Sequence, residues 1–268
     1  MSGSITLENR FGVNKMELIS LKYAIFVIVL LVLYYCFPKK YRWYVLLAGS
    51  MAYYVIICKW YVLFIIFTIC TTYGSTIWID KLLKEQNAIV KSHKEDWDRQ
   101  TRKEYKEKGR KKRVAVMLFA LLCNFGILAF LKYIPYAGEL GLLLPLGISF
   151  YTFQSMGYVM DVYREIVEPE KNFLKVALFV SFFPQIIQGP IAIYDKLAGQ
   201  LYEGHSLRLK NLQKGALLVL WGVIKKLVIA DRAVNIINFV MDKPMDFSGT
   251  YVFFAAVVYA LQLYADFS

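Results

Sequence analysis

The sequence predicts an all-α, polytopic integral membrane protein, and three observations support this. Of its 268 residues, 58% are hydrophobic and only 19% are charged, whereas soluble domains average about 45–50% apolar and about 25% charged residues. Seven uncharged runs reach or approach the roughly 17–25 residues that a helix needs to cross the hydrocarbon core of a bilayer. Basic residues flank those runs, as the positive-inside rule describes for membrane proteins.

The uncharged runs give the order of the expected helices. The first run becomes long enough to span when residues 18–22 are added to it. It precedes no small-residue cleavage pattern, so it is expected to remain as an uncleaved first span. A further stretch at 210–232 resembles an interfacial helix, with a short tilted crossing as the alternative, which brings the total to about seven or eight hydrophobic segments. The runs are Tyr23–Pro38, Trp43–Cys58, Trp60–Ile79, Val114–Leu131, Leu140–Met160, Val176–Tyr194 and Phe247–Ala265.

The distribution of basic residues predicts the orientation. Lys39, Lys40 and Arg42 lie between the first and second spans, and residues 80–113 carry thirteen Lys or Arg against seven Asp or Glu. Both segments should be cytoplasmic, which places the N-terminus outside the cytoplasm of a multi-pass protein of the cell membrane. Segment 80–113 is expected to be a solvated helical hairpin or extended helix that contacts anionic lipid headgroups and has no catalytic role.

The sixth run does not fit simple alternation of spans. The loops at 161–175, 195–214 and 225–243 each contain several Lys or Arg residues, and a single crossing at 176–194 would place one of them outside. Pro184, Gly189 and Pro190 interrupt this run, and Gln185 and Gln188 bring amides to membrane depth. Non-helical backbone at that depth is tolerated where protein or a cavity surrounds it. We therefore expect a re-entrant hairpin that opens to the cytoplasm.

Polar side chains in the fifth run fall on two faces of the predicted helix. Gln154 shares one face with Tyr151, Tyr158 and Asp161. Three small hydroxyl residues occupy another face, namely Ser149, Thr152 and Ser155. Polar groups on two faces predict a helix surrounded by protein. Hydrogen bonding between helices explains the serines, whereas for Gln154 a tunnel-lining role is an equally open interpretation.

The last run places Tyr259, Gln262 and Asp266 on one helix face, for which a simple span terminus is an adequate explanation. Elsewhere the sequence offers little chemistry. The four cysteines lie inside apolar runs, which is typical of buried small hydrophobes, and His93 and His205 are isolated, so no metal site is predicted. Nucleic acid is not an expected partner, because the charge flanks apolar runs. None of the common nucleophile, phosphate-loop or zinc motifs occurs.

Three stretches resemble membrane-bound O-acyltransferases of the alginate O-acetyltransferase branch. They are LPLGISFYTFQSMGYVMDVYR at 144–164, SFFPQIIQGPIAIYDKL at 181–197 and YALQLYADFS at 259–268. The opening segment LYYCFPKKYRWYVLLAGSMAYY is also similar to the beginning of such proteins. The resemblance covers nearly the whole chain in order, and its first two motifs are long.

The resemblance implies a tunnel through which an acyl group, usually acetyl, reaches a hydroxyl of an extracytoplasmic polysaccharide. It implies acetyl-CoA as a cytoplasmic donor with no bound cofactor, and, besides lipid and glycan, an extracytoplasmic acetyltransferase protein as partner. On this basis we expect tunnel- or substrate-lining roles for Gln154, Tyr158, Gln185, Gln188, Tyr264 and Asp266. Pro184, Gly189 and Pro190 are expected to shape the re-entrant backbone.

The resemblance also implies a histidine that activates the acceptor hydroxyl. That histidine is expected beyond Ser268, since neither His93 nor His205 matches it. Residues 1–268 are accordingly interpreted as the N-terminal part of one membrane domain that is inactive alone. Three alternatives stay open: D-alanyl transfer to teichoic acid, a transporter without covalent chemistry, and a catalytically inactive scaffold.

Overall fold

The computed structural model describes residues 21–93, 96–133, 145–189 and 191–267, and every regular element within these ranges is helical. This confirms the predicted all-α class. The chain divides into two compact units, one ending at Gly204 and one beginning at His205. The helices of the first unit are α1 (Leu21–Cys36), α2 (Arg42–Cys58), α3 (Val62–Ser92), α4 (Arg99–Tyr133), α5 (Ile148–Tyr163), α6 (Phe173–Ser181), α7 (Phe183–Gln188) and α8 (Tyr194–Tyr202).

The charged segment 80–113 is a helical hairpin, one of the two forms predicted for it. Helix α3 continues past its apolar part to Ser92, and α4 begins at Arg99 and runs through the basic residues into its own apolar part. The two helices pack against each other. Two exposed ion pairs at the four-residue helical spacing support their surfaces: Lys81 with Glu85, and Lys111 with Glu107.

Two helical stretches, Lys39–Ser92 and Arg99–Tyr133, are long and apolar enough to cross a membrane, and the apolar helices Leu21–Cys36, Phe173–Ile186 and Gly249–Ala265 are shorter. Several large apolar side chains of α4 are turned outward, including Leu122 at 73% exposure. Contiguous apolar surface is rare on soluble monomers and is typical of lipid or protein contact. The number of crossings and the re-entrant hairpin stay predictions.

Helix α5 lies at the centre of the first unit and packs against α3, α4, α6 and α7. Gln154 and Tyr158 on one side, and Thr152 and Met156 on the other, are each at most 3% exposed, so opposite sides of α5 are buried. The prediction of a helix surrounded by protein is confirmed only in part, because Phe153 and Met160 remain on an open side. The helix begins at Ile148; residues 134–144, where the run was predicted to start, lie outside the described residues.

The second unit contains α9 (Leu209–Ile224), α10 (Asp231–Met241) and α11 (Gly249–Phe267), and a π-helical turn, Lys225–Ala230, joins α9 to α10. The helix therefore continues through the charged pair Lys225-Lys226 to Met241, beyond the predicted segment 210–232. The Nζ of Lys226 lies 3.5 Å from Oδ1 of Asp231. A π turn pairs residues five apart, and this ion pair has the same spacing.

Candidate functional site

The candidate site is built around the helix break between α6 and α7. Helix α6 ends at Ser181, and Phe182 adopts φ −59° and ψ 107°, outside the helical region. Pro184 has no N–H and would clash with a preceding helical turn, so it fits the first turn of α7 but not a continuation of α6. The sequence prediction of a break at Pro184 is therefore confirmed.

A continuous helix would join the N–H of Phe183 to the carbonyl of Phe179, four residues earlier. The break separates these two groups, and each forms a hydrogen bond with a side chain of another helix. Gln154 of α5 donates from Nε2 to the Phe179 carbonyl oxygen at 2.8 Å. The Phe183 N–H donates to Oγ of Ser50 on α2 at 3.3 Å. Both side chains are buried, so the break keeps its backbone polar groups satisfied away from solvent.

Gly147 fixes the start of α5 against α7. Its φ of +71° lies in the left-handed region, and a Cβ there would overlap the carbonyl oxygen of Ile186. Only glycine meets both conditions without strain. Gly189, which follows α7, approaches its own helix closely, since a Cβ would lie 2.6 Å from Cα of Gln185. This is consistent with the backbone-shaping role predicted for Gly189.

The other two glutamines of the broken segment are Gln185 and Gln188. Gln185 lies on α7, and its Oε1 is buried without a hydrogen-bond partner among the described residues. An unpaired buried amide oxygen costs stability, which makes it available to a ligand's donor. Gln188 ends α7, but its side chain lies outside the described residues, as does Pro190.

Tyr158 belongs to a buried aromatic cluster behind the break. Its ring stacks on Tyr194 at 4.1 Å between centroids, and its hydroxyl accepts the N–H of Glu170 at 2.8 Å. Nearby, the Tyr202 hydroxyl donates to the carbonyl of Lys175 at 2.8 Å. Burial raises the pKa of Tyr202, so this phenol keeps its proton to a higher pH than an exposed tyrosine does. These contacts tie α5, α6 and α8 together around the predicted residue Tyr158.

The remaining predicted residues lie on α11, in the second unit. Tyr264 is 73% exposed, and the side chain of Asp266 lies outside the described residues. The sequence did not indicate Ser50 or Gly147, whose roles depend on partners more than thirty residues away in the chain. A glycine inside a predicted apolar run is a weak signal, and Ser50 offered none.

The predicted residues thus fall into two sets. Gln154, Tyr158 and Gln185 lie on neighbouring helices of the first unit, because α5 packs against both α6 and α7. Within the described ranges, no group of three or more His, Cys, Asp or Glu side chains could hold a metal ion. What the first set can do is hydrogen bond a polar ligand in surroundings that are otherwise apolar. Its tunnel-lining role stays a prediction.

Comparison with known proteins finds acetyltransferases. The chain is 31% identical to a peptidoglycan O-acetyltransferase of Helicobacter pylori, over 57% of this chain and 36% of the relative. It is 37% identical to a protein of Pseudomonas syringae pv. tomato named "Probable alginate O-acetylase AlgI", over 47% of this chain and 24% of the relative. A Pseudomonas aeruginosa protein of the same name is 34% identical over similar shares.

The chain thus spans about a third or less of the length of these relatives. No protein-family model and no solved structure matches it. The resemblance to membrane-bound O-acyltransferases of the alginate O-acetylase type, inferred from three motifs, is confirmed by these homologues.

Proposed function

We propose that this protein takes part in membrane O-acetylation of polysaccharide hydroxyl groups outside the cytoplasm. The observation that carries the proposal is the identity of 31% to 37% with relatives that are named O-acetyltransferases of peptidoglycan and alginate. Acetyl transfer fits better than D-alanyl transfer, because the named relatives are acetylases.

The proposed reaction has a simple balance. The acceptor oxygen forms a bond to the acetyl carbon, the bond from that carbon to the donor's leaving group breaks, and the hydroxyl proton passes to a base. We propose acetyl-CoA as the donor, arriving from the side of the basic segments 39–42 and 80–113. The resemblance implies a histidine base; His93, which stacks on Trp97 at 4.9 Å at the turn of the charged hairpin, is not assigned that role.

The residues of this chain would guide the acyl group. The helix break at Phe182 separates off a short helix, α7, whose Gln185 carries a buried amide oxygen with no partner among the described residues. In the proposal, Gln185 forms a hydrogen bond with the donor or with the acceptor hydroxyl in the tunnel. Gln154 stabilises the helix break through its hydrogen bond to the Phe179 carbonyl. Polar groups placed in apolar surroundings orient substrates effectively, because water does not compete for them.

A chimera tests the proposal. In the Helicobacter pylori relative, the segment that matches this chain would be replaced by the sequence of this chain, and O-acetylated peptidoglycan would be measured by mass spectrometry. We expect acetylation to be retained and the Gln185→Ala chimera to lose about tenfold, the equivalent of one ~1.4 kcal/mol hydrogen bond. Phe153→Leu, at an exposed position of α5, is the control and should have no effect.

The donor side is tested in the same cells. Inside-out membrane vesicles should transfer label from added acetyl-CoA, whereas right-side-out vesicles should not. A chimera that inserts into the membrane in normal amounts but forms no acetylated product would contradict the proposed function. Equal transfer in both vesicle orientations would contradict the cytoplasmic donor.

A further inference from the structure

The charged hairpin contains a cleft with unbalanced positive charge. Its cavity of about 550 Å³ lies between α3 and α4, beside the end of α5. Four cationic and two acidic side chains line it, together with two amides and one leucine. The lining residues are Leu83, Gln86, Asn87, Lys103, Lys106, Glu107, Arg110, Arg113 and Glu165.

The cationic side chains follow one face of α4. Lys103, Lys106, Arg110 and Arg113 are spaced by three, four and three residues, which aligns them along a helix. The first three are exposed, whereas Arg113 is only 9% exposed. The cleft therefore has three exposed cations at its opening and one buried cation, Arg113, at its base.

The positive charge of Arg113 is only partly neutralised, although its side chain is buried. Its Nη1 donates to Oε1 of Gln86 at 3.1 Å, and Gln86 is itself 5% exposed. Its Nη2 lies 3.9 Å from a carboxylate oxygen of Glu165, too long for a hydrogen bond. Its Nε is buried without a hydrogen-bond partner among the described residues. Buried guanidinium groups normally have close anionic partners, because their desolvation is costly.

Glu165 holds its position at a conformational cost. Its φ is +61°, a left-handed conformation that usually belongs to glycine at the end of a helix. The N–H groups of Glu165 and Ile166 cap the carbonyls of Val162 and Asp161, which is the Schellman pattern. A strained non-glycine residue beside a charged cleft is typical of a functional position. The side chain of Glu165 is 54% exposed, so its carboxylate can move away from Arg113.

We propose that this cleft binds a phosphate-bearing anion, with Arg113 as its fixed ligand and Lys103, Lys106 and Arg110 around it. The carboxylate of Glu165 stands near Arg113 when the cleft is empty and yields to the phosphate. A cavity of about 550 Å³ is in the range of small-molecule sites and exceeds the needs of a single phosphate. Guanidinium groups match phosphate oxygens through paired hydrogen bonds.

Two sources can supply this chemistry: a soluble phosphoester such as the nucleotide portion of an acyl donor, or the headgroup of an anionic lipid. The inference does not depend on acetyl transfer, since it concerns binding alone. Segment 80–113, for which the sequence suggested only solvation and lipid contact, would then carry a defined ligand site.

The experiment uses the full chain in nanodiscs of phosphatidylcholine. Adenosine 3′,5′-bisphosphate and inorganic pyrophosphate are titrated and binding is followed by thermophoresis; in a second arm, nanodiscs contain phosphatidylglycerol and native mass spectrometry counts retained lipids. We expect saturable binding in at least one arm. Arg110→Gln should weaken it about tenfold, and Glu165→Gln should strengthen it several-fold. Lys108→Gln, on α4 but outside the cleft, should change it less than twofold.

The arms separate the outcomes. Saturable binding of the bisphosphate alone supports the site with a soluble source, and saturable retention of phosphatidylglycerol alone supports it with a lipid source. Absence of saturable binding in both arms overturns the proposal. Equal losses in Arg110→Gln and Lys108→Gln also overturn it, because they would indicate attraction to the overall charge of α4. Arg113→Gln is a further variant, and Arg110→Gln keeps the test valid if that buried change unfolds the protein.

Discussion

The first unit contains two polar regions, the helix break between α6 and α7 and the basic cleft between α3 and α4. Polar groups at the break have matched hydrogen-bond partners, whereas those in the cleft are incompletely paired. At the break, the Phe179 carbonyl and the Phe183 N–H each receive one neutral partner, from Gln154 and Ser50. At the cleft, four cations face two carboxylates, and the Nε of Arg113 has no partner among the described residues.

A structural polar group has its hydrogen bonds completed within the protein, whereas a group available to a ligand does not. Net gains from matched hydrogen bonds are modest, but an unmatched buried group costs the full price of desolvation. Gln154 completes the backbone of another helix, so its loss should be felt in folding. Arg113 lacks a close anion, so its environment should respond to ligands. Four predictions test this contrast, in order of decreasing effect.

The largest effect is expected at Gly147, where the start of α5 packs against α7. Gly147→Ala places a methyl group against the Ile186 carbonyl at a φ of +71°. Overpacking costs about 1–3 kcal/mol and the left-handed conformation about 1–2 kcal/mol more, so the thermal midpoint in detergent should fall by several degrees. Gly157→Ala, on the same helix α5 with no neighbour within 4 Å among the described residues, is the control. Equal midpoints would contradict the tight contact.

The second effect concerns the two side chains at the break. Gln154→Leu removes the donor to the Phe179 carbonyl and should destabilise the protein by about 1–3 kcal/mol. Ser50→Ala should cost less, because its hydrogen bond is longer, at 3.3 Å. Denaturant unfolding of the single and double variants gives their coupling. We expect the double variant to lose less than the sum by at least about 0.5 kcal/mol; strict additivity would show that the two side chains act independently.

The third effect is a gain of stability at the cleft. Glu165→Gly relieves the left-handed strain and should stabilise the protein by about 1 kcal/mol. Glu165→Gln removes the charge but retains the strain, so its stability should stay near that of the wild type. Thermal unfolding of both variants compares the two causes. A larger gain in Glu165→Gln would show that charge, and not backbone conformation, limits stability there.

The smallest effect is expected on the solvated face of the hairpin. Lys81 and Glu85 form an exposed pair at 3.9 Å, and such pairs contribute little. Lys81→Ala should change the free energy of unfolding by less than about 0.5 kcal/mol, measured by the same denaturant titration. A loss of more than about 1 kcal/mol in the free energy of unfolding would contradict this prediction. It would mean that exposed charges stabilise the hairpin surface.

The helical class, the interruption at Pro184 and the resemblance to O-acetylases could all be predicted from the amino-acid sequence. Each of these depends on local pattern: runs of apolar residues, a missing backbone donor, and contiguous motifs. The sequence also indicated that α5 is surrounded by protein, because polar residues on two faces of an apolar helix would otherwise contact lipid.

Which polar groups meet depends on how the helices pack in three dimensions, and the sequence did not indicate it. Ser50 and Phe183 are 133 residues apart, and Arg113 meets Gln86 across a helical hairpin at a separation of 27 residues. No periodicity within one helix specifies such pairs, since they depend on how helices are rotated and offset when they pack. For the same reason segment 80–113 reads along the chain as an alternating charged helix. Its cleft exists only because α4 turns four cations toward α3 and the strained residue Glu165.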